Sequence, residues 1–254
     1  RESWDVLWPA AVARPMDANR IIAYFDGLSA TEGELADLVD LERVAVVGHS
    51  QGGLSALQNG GAQIDLGRCA ADPDSVAEDG SCLEFLAHQE EIAAEWGLPS
   101  APTGMWPQID DPRVDAVVAF APDSDVWGTE YEGVASVEIP ALLMGGSGDS
   151  LVPPQDVSLI YEHLGSAEKA LIVFEGADHT IFMNACDVTP WFAEFVAPWV
   201  CSDAVWDMQH AHDMINHFTT AFLLSKLNDD AEAGAALSPE EIDFPGIDYQ
   251  AEGL

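Results

Sequence analysis

The run Gly48-His49-Ser50-Gln51-Gly52-Gly53 sets a hydroxyl among glycines directly after the β-branched stretch Val44 to Val47. A serine on a tight strand-to-helix turn is held clear of a sheet, and flanking glycines are required because side chains there would collide with the neighbouring strand and helix. A serine hydroxyl is a poor nucleophile until a base takes its proton, and that base needs a carboxylate to fix its tautomer and stabilise the imidazolium. Both partners are found downstream in the expected order. Asp149 closes Gly145-Gly146-Ser147-Gly148-Asp149 after the apolar run Pro140 to Met144, and His179 closes Gly176-Ala177-Asp178-His179 after Ala170 to Phe174. The three loops all follow strand-like runs, so they emerge at one edge of a parallel sheet. This pattern predicts Ser50 as nucleophile, Asp149 as acid and His179 as general base. The main-chain N–H of Gln51, next after the nucleophile, is the expected first donor of an oxyanion hole.

Other residues compete for these roles. His49 adjoins the nucleophile, but the turn should direct successive side chains apart, which makes it structural. His88 falls in a loop-rich stretch and His163 late on a helical pattern, away from any strand end. Asp178 is too close to the base in the chain to reach its far nitrogen, and Asp123 and Asp125, after an earlier strand, are the reserve acids. Trp127, Trp106, Phe182 and Met183 are candidates for an apolar substrate pocket, with ordinary core packing the alternative for each. His210, Asp213 and His217 share a face of one helix and read as a hydrogen-bonded seam rather than a metal site. No C-x-x-C spacing and no twelve-residue calcium loop occurs, so no metal is expected.

The elements that must position these residues alternate along the chain. A helical pattern opened by Arg14-Pro15 runs through Ile21, Ile22, Tyr24, Phe25 and Leu28. Val44 to Val47, Val114 to Phe120, Pro140 to Met144 and Ala170 to Phe174 read as buried strands, and Pro154 to Leu164, Pro190 to Trp199 and Ala204 to Leu227 as helices. Such alternation predicts an α/β fold with a parallel sheet and helices on both faces, in a single domain spanning 1–254. Residues 60–111, rich in Gly, Pro, Asp and Ser, are expected to form an excursion over the active-site face. Residues 229–254 read as an acidic surface tail without regular structure.

Composition limits the partners. The 254 residues, 48% apolar, suffice for one substantial core, and 45 Asp plus Glu against 8 Lys plus Arg give a net charge of −37. Such a surface repels phosphate backbones and anionic headgroups, so nucleic acid and membrane are not expected partners. It fits either a high-salt habitat or simple solubility. The four cysteines fall into close pairs, Cys69 with Cys82 and Cys186 with Cys201. Two such disulfides imply an oxidising compartment, secreted or periplasmic, and buried free thiols are the alternative. No apolar run is long enough to span a bilayer, and a chain beginning Arg1-Glu2 is expected to have been processed or cut from something longer.

An acyl-transfer site needs a second N–H donor from a loop after an earlier strand. Only 49 residues precede Ser50, with just Gly27 and Gly33 ahead of the run Val44 to Val47 and no His-Gly pair. The run Val44 to Val47 should also be central in its sheet, yet nothing upstream could pair with its other edge. A companion N-terminal polypeptide supplying early strands and the second oxyanion donor is therefore expected, either a separate chain left by proteolytic cleavage or a preceding segment of the same chain; a minimal fold with a rearranged start is the alternative.

The chain from Arg14 to about Leu227 resembles secreted bacterial α/β hydrolases of the dienelactone-hydrolase-like type, related to cutinase-type polyesterases and platelet-activating-factor acetylhydrolases. The resemblance is carried by Arg14-Pro15-Met16-Asp17, Gly48-His49-Ser50-Gln51-Gly52-Gly53, Asp111-Pro112-Arg113-Val114, Ala119-Phe120-Ala121-Pro122, the loop through Asp149, and Gly176-Ala177-Asp178-His179. It implies the α/β-hydrolase fold, here without its N-terminal strands, and hydrolysis of carboxylic esters through an acyl-enzyme without metal or organic cofactor. Dienelactone hydrolases proper use a cysteine nucleophile, so with Ser50 that substrate is not expected. An amidase or peptidase on the same fold, or a catalytically silent binding module, are the rival readings.

Overall fold

The computed structural model describes residues 8–29, 38–71, 81–195 and 197–254. Their centre is a five-stranded sheet in the order β1-β2-β3-β4-β5, formed by β1 (Val44–His49), β2 (Val114–Phe120), β3 (Ala141–Gly146), β4 (Lys169–Phe174) and β5 (Ile247–Glu252). The first four strands pair in parallel and β5 runs antiparallel to β4.

Alternation within the apolar runs explains why both faces are covered. On β2, β3 and β4, Val117, Ala119, Ala141, Leu143 and Leu171 enter one core, while Ala116, Val118, Leu142, Met144, Ala170 and Ile172 enter the other. Successive strand residues point to opposite faces, so a strand buried on both sides must be apolar throughout. The first core is closed by α2 (Gln51–Asn59) and α6 (Pro154–His163), through Leu54, Leu57, Val157 and Ile160. The second is closed by α8 (Met208–Asn228), whose Ala211, Ile215, Phe218 and Phe222 recur at helical spacing. Phe218 and Phe222 are fully buried, and truncating either to alanine would remove roughly 3–5 kcal/mol of stability.

Several sequence expectations need correction. The tail after Asp229 is not irregular: it forms α9 (Ala231–Ala235) and then β5, the closing strand of the sheet. Its register pairs Lys169 with Glu252, and the buried Lys169 ammonium donates to the carbonyls of Tyr161 and Leu164 with Glu252 at 3.8 Å. The first helix, α1 (Trp8–Ser29), begins ahead of Arg14-Pro15 and keeps Pro15 inside it. Asn59 on α2 donates to the Pro15 carbonyl at 3.0 Å, so α1 is tied to α2 at that point. The stretch 60–111 holds α3 (Gly67–Ala71), α4 (Ser81–Ala87) and α5 (Gln89–Glu95), and buries Ile64, Leu66, Phe85 and Ile92 in the first core rather than serving as a cover alone. Disulfides join Cys69 to Cys82 and Cys186 to Cys201. Among the described residues no helix is long and apolar enough to cross a membrane.

Candidate active site

β1 ends at His49, α2 begins at Gln51, and Ser50 between them has φ 58° and ψ −122°. A non-glycine residue there costs about 1–3 kcal/mol and persists only where its surroundings hold it. Here the Ser50 N–H donates to the Phe120 carbonyl at 2.9 Å, and its own carbonyl accepts from Leu54 at 3.0 Å and Asp123 at 3.2 Å. The glycines have a steric reason. A Cβ on Gly48 would overlap the Gly52 carbonyl, and one on Gly53 would come within 2.9 Å of Pro122 Cα. The N–H of Gln51 lies in the first turn of α2, where main-chain donors lack intrahelical partners. Its side-chain carbonyl accepts from Arg14 of α1 at 3.3 Å.

Asp149 and His179, the expected acid and base, leave the same sheet edge after β3 and β4. Asp149 is buried, with Oδ1 accepting from the main-chain N–H groups of Leu151 at 2.9 Å and Val152 at 2.8 Å. Its Oδ2 lies 2.8 Å from Nδ1 of the equally buried His179. A carboxylate only accepts, so Nδ1 carries the imidazole proton and Nε2 is the basic nitrogen. No hydrogen bond joins the Ser50 hydroxyl to His179 among the described residues; such contacts are commonly long before substrate binds.

Asp178 engages other partners than Asp149 does. Its Oδ1 accepts from the N–H and hydroxyl of Ser150, both at 3.0 Å, and from the His179 N–H at 2.8 Å. Burial alone would raise this carboxyl, but those hydrogen bonds outweigh it and hold the group below the usual carboxylate range. Asp178 therefore staples the acid loop to the base loop. The reserve acids stay on the loop after β2, where the Asp123 N–H is engaged with Ser50.

His49 departs from expectation. Its ring is not directed away from the base but lies against it, with centroids 4.6 Å apart. Burial, reinforced by the neighbouring His179, pushes its pKa down to about 4. Spacing along the chain could not disclose this, because the contact joins residues 130 positions apart.

The pocket candidates divide. Trp106 and Trp127 are fully buried in the first core, so neither lines an open pocket; large indoles between helices and sheet are the packing alternative realised. Phe182 stacks on Phe120 at 5.3 Å and meets His49 at 5.5 Å, while the Met183 carbonyl accepts from His212 of α8 at 2.9 Å. Large apolar residues that sequence reasoning did not select, Leu151, Val188, Trp199 and Val205, are exposed on the segments following Asp149 and His179. His88 sits between α4 and α5 near Glu84 and Glu91, and the His163 ring bonds the Leu159 carbonyl. On α8, His210 stacks on Trp206, Asp213 accepts from Gln209, and His217 packs on Phe218 and Phe244. No group of three potential metal ligands occurs among the described residues.

A family model described as the alpha/beta hydrolase family matches residues 10–190, a span that includes Ser50, Asp149 and His179. The chain belongs to the α/β-hydrolase family. None of the curated proteins matches it. In this hydrolase the matched span runs from α1 into α7 (Pro190–Phe195), and α8, α9 and β5 extend beyond it.

Proposed function

We propose that this hydrolase cleaves carboxylic esters, small or polymeric, through an acyl-enzyme on Ser50, in the manner of the cutinase-like and acetylhydrolase-like enzymes it resembles. The observation that carries this reading is the buried 2.8 Å bond between His179 Nδ1 and Asp149 Oδ2, on loops at the sheet edge where Ser50 occupies a strained strand-to-helix turn. In the first step Ser50 Oγ bonds to the ester carbonyl carbon while His179 Nε2 takes the hydroxyl proton. Asp149 then faces an imidazolium, and the Gln51 N–H takes the developing oxyanion. Collapse breaks the ester C–O bond, His179 returns its proton to the departing alkoxide, and an alcohol leaves. Water, deprotonated by the same nitrogen, releases the acid and restores Ser50. Two disulfides support residence in an oxidising compartment, secreted or periplasmic.

The test has two arms. Phosphonylation of the native protein by an organophosphonate should reach one equivalent, with the adduct mapped to Ser50, and an ester should turn over at least 100-fold faster than its matched amide, on the order of a few kcal/mol of barrier. Amide turnover equal to ester turnover would make it an amidase; a folded protein that takes no label is a binding module.

We further infer that the outer edge of β1 pairs with a strand of a companion N-terminal polypeptide that also supplies the second oxyanion donor. Among the described residues β1 has a neighbour on one side only, and its Val47 is 46% exposed. An edge of this kind, β-branched and without charge, is prone to pair with another chain. Hydrogen exchange on the isolated chain should find the outward amides of Val44 to His49 fast, and slow on adding the companion. Full protection in an isolated monomer defeats this assignment.

A further inference from the structure

His49 ends β1 one residue before the nucleophile, yet its side chain is engaged with the base. Its Nε2 lies 3.1 Å from the main-chain carbonyl of His179, the two rings are tilted by 38°, and Phe182 packs against it at 5.5 Å. A carbonyl oxygen only accepts, so Nε2 of His49 carries its ring proton and donates. This bond joins the end of β1 to the turn after β4, although β2 and β3 lie between those strands in the sheet.

We propose that His49 is a positioning residue for the base: its Nε2–H, donated to the His179 carbonyl, fixes the turn that presents the His179 imidazole, as Asp149 fixes the ring. The two contacts are complementary. Asp149 sets the tautomer and the ring plane from the side-chain end, while His49 anchors the main chain from which that ring projects. The Asp178 carboxylate accepts from the N–H of the same residue, so both main-chain polar groups of His179 are hydrogen-bonded, the N–H to the adjacent Asp178 and the carbonyl to the end of β1. Anchoring of this kind matters because a displacement of about 1 Å in a reacting group can cost on the order of 10²-fold in rate.

Neutrality is part of the device. A charged His49 would stand beside the imidazolium formed on His179 during acyl transfer; a neutral ring donates the hydrogen bond without opposing that charge. Burial first, and the charge on His179 second, keep His49 unprotonated at neutral pH, against its own hydrogen bond to the His179 carbonyl and, after that, the nearby Asp149, which both favour the charged ring. It therefore does not compete with His179 for the serine proton.

The effect on rate rests on the proposed roles of Ser50 and His179; the anchoring itself does not. Two variants separate donor from bulk. His49→Phe keeps an aromatic ring against His179 and Phe182 but has no N–H, whereas His49→Gln keeps an N–H donor of similar reach. Amide hydrogen exchange over residues 179–183 and the rate of Ser50 phosphonylation are measured on both, with thermal unfolding as the folding control. The expected result is faster exchange and labelling slowed about 10–100-fold in His49→Phe, with His49→Gln restored to within a few-fold of native on both readouts. Equal exchange in native and His49→Phe protein, or a His49→Gln variant as impaired as His49→Phe, overturns the proposal. Should the native protein take no label while exchange still separates the two variants, the anchoring stands and the esterase reading fails.

Discussion

Ser50→Ala is expected to abolish phosphonate labelling and to lower ester turnover by about 10⁶-fold, the scale on which loss of a nucleophile acting as a unit with its base is felt. The size follows from chemistry rather than from any change of fold. The residue is held by main-chain bonds, its N–H to Phe120 and its carbonyl to Leu54 and Asp123, all of which alanine retains. Alanine also keeps the Cβ that serine already carries at φ 58°, so no new strain arises. Thermal unfolding should therefore move by no more than a few degrees, roughly the shift that 1 kcal/mol produces. Residual turnover of a factor on the order of 10³ above water is consistent with what an oxyanion donor and substrate binding supply alone. A variant that folds normally and keeps more than a tenth of native turnover would assign the chemistry to some other group.

How much of this architecture could be read from residue order depends on which physical signal each element leaves. β2 to β4 are legible because strands buried on both faces must be continuous apolar runs, whereas β1, an equally apolar run expected to be buried and central, is only half-buried at the sheet edge with Val47 exposed; the loops after all four carry the glycines that tight turns demand. The sheet and the turns bearing Ser50, Asp149 and His179 follow from that alone. β5 was obscured by composition: Ile247 to Glu252 alternates half-buried and exposed residues with period two, the signature of an edge strand, but within an acidic stretch that reads as solvated tail. α1 carries a weaker signal, since a helix start at Arg14-Pro15 is the favoured place for proline and the chain instead holds Pro15 within the helix. Trp106 and Trp127 mark a general limit, because an indole in a core and an indole in a pocket have the same local sequence and differ only in what lies beyond. The His49 contact belongs to that class, being created by strand order and not by neighbours in the chain.

Asp149→Asn is expected to lower kcat about 10⁴-fold with little change in KM, the loss seen when a triad base is held in the wrong tautomer. Asp149 Oδ1 is surrounded by donors, the N–H groups of Leu151 and Val152, while Oδ2 faces His179. Asparagine fits this space in one useful orientation. Its amide oxygen must take the Leu151 and Val152 side, because an NH₂ there would meet two N–H groups and leave buried donors unpaired at about 1–3 kcal/mol each. The NH₂ is then turned toward His179 Nδ1, which must become an acceptor and give its proton to Nε2. A protonated Nε2 cannot take the Ser50 proton, so the site keeps its geometry and loses its base. Asp178→Asn is the contrast that makes this specific. Its bonds to Ser150 and the His179 N–H converge on one oxygen, which an amide can reproduce, and turnover should fall by only a few-fold. Stopped assays on one ester, with both variants checked for native thermal unfolding, decide it: an Asp149→Asn enzyme within tenfold of native, or one no worse than Asp178→Asn, removes Asp149 from the acid's role.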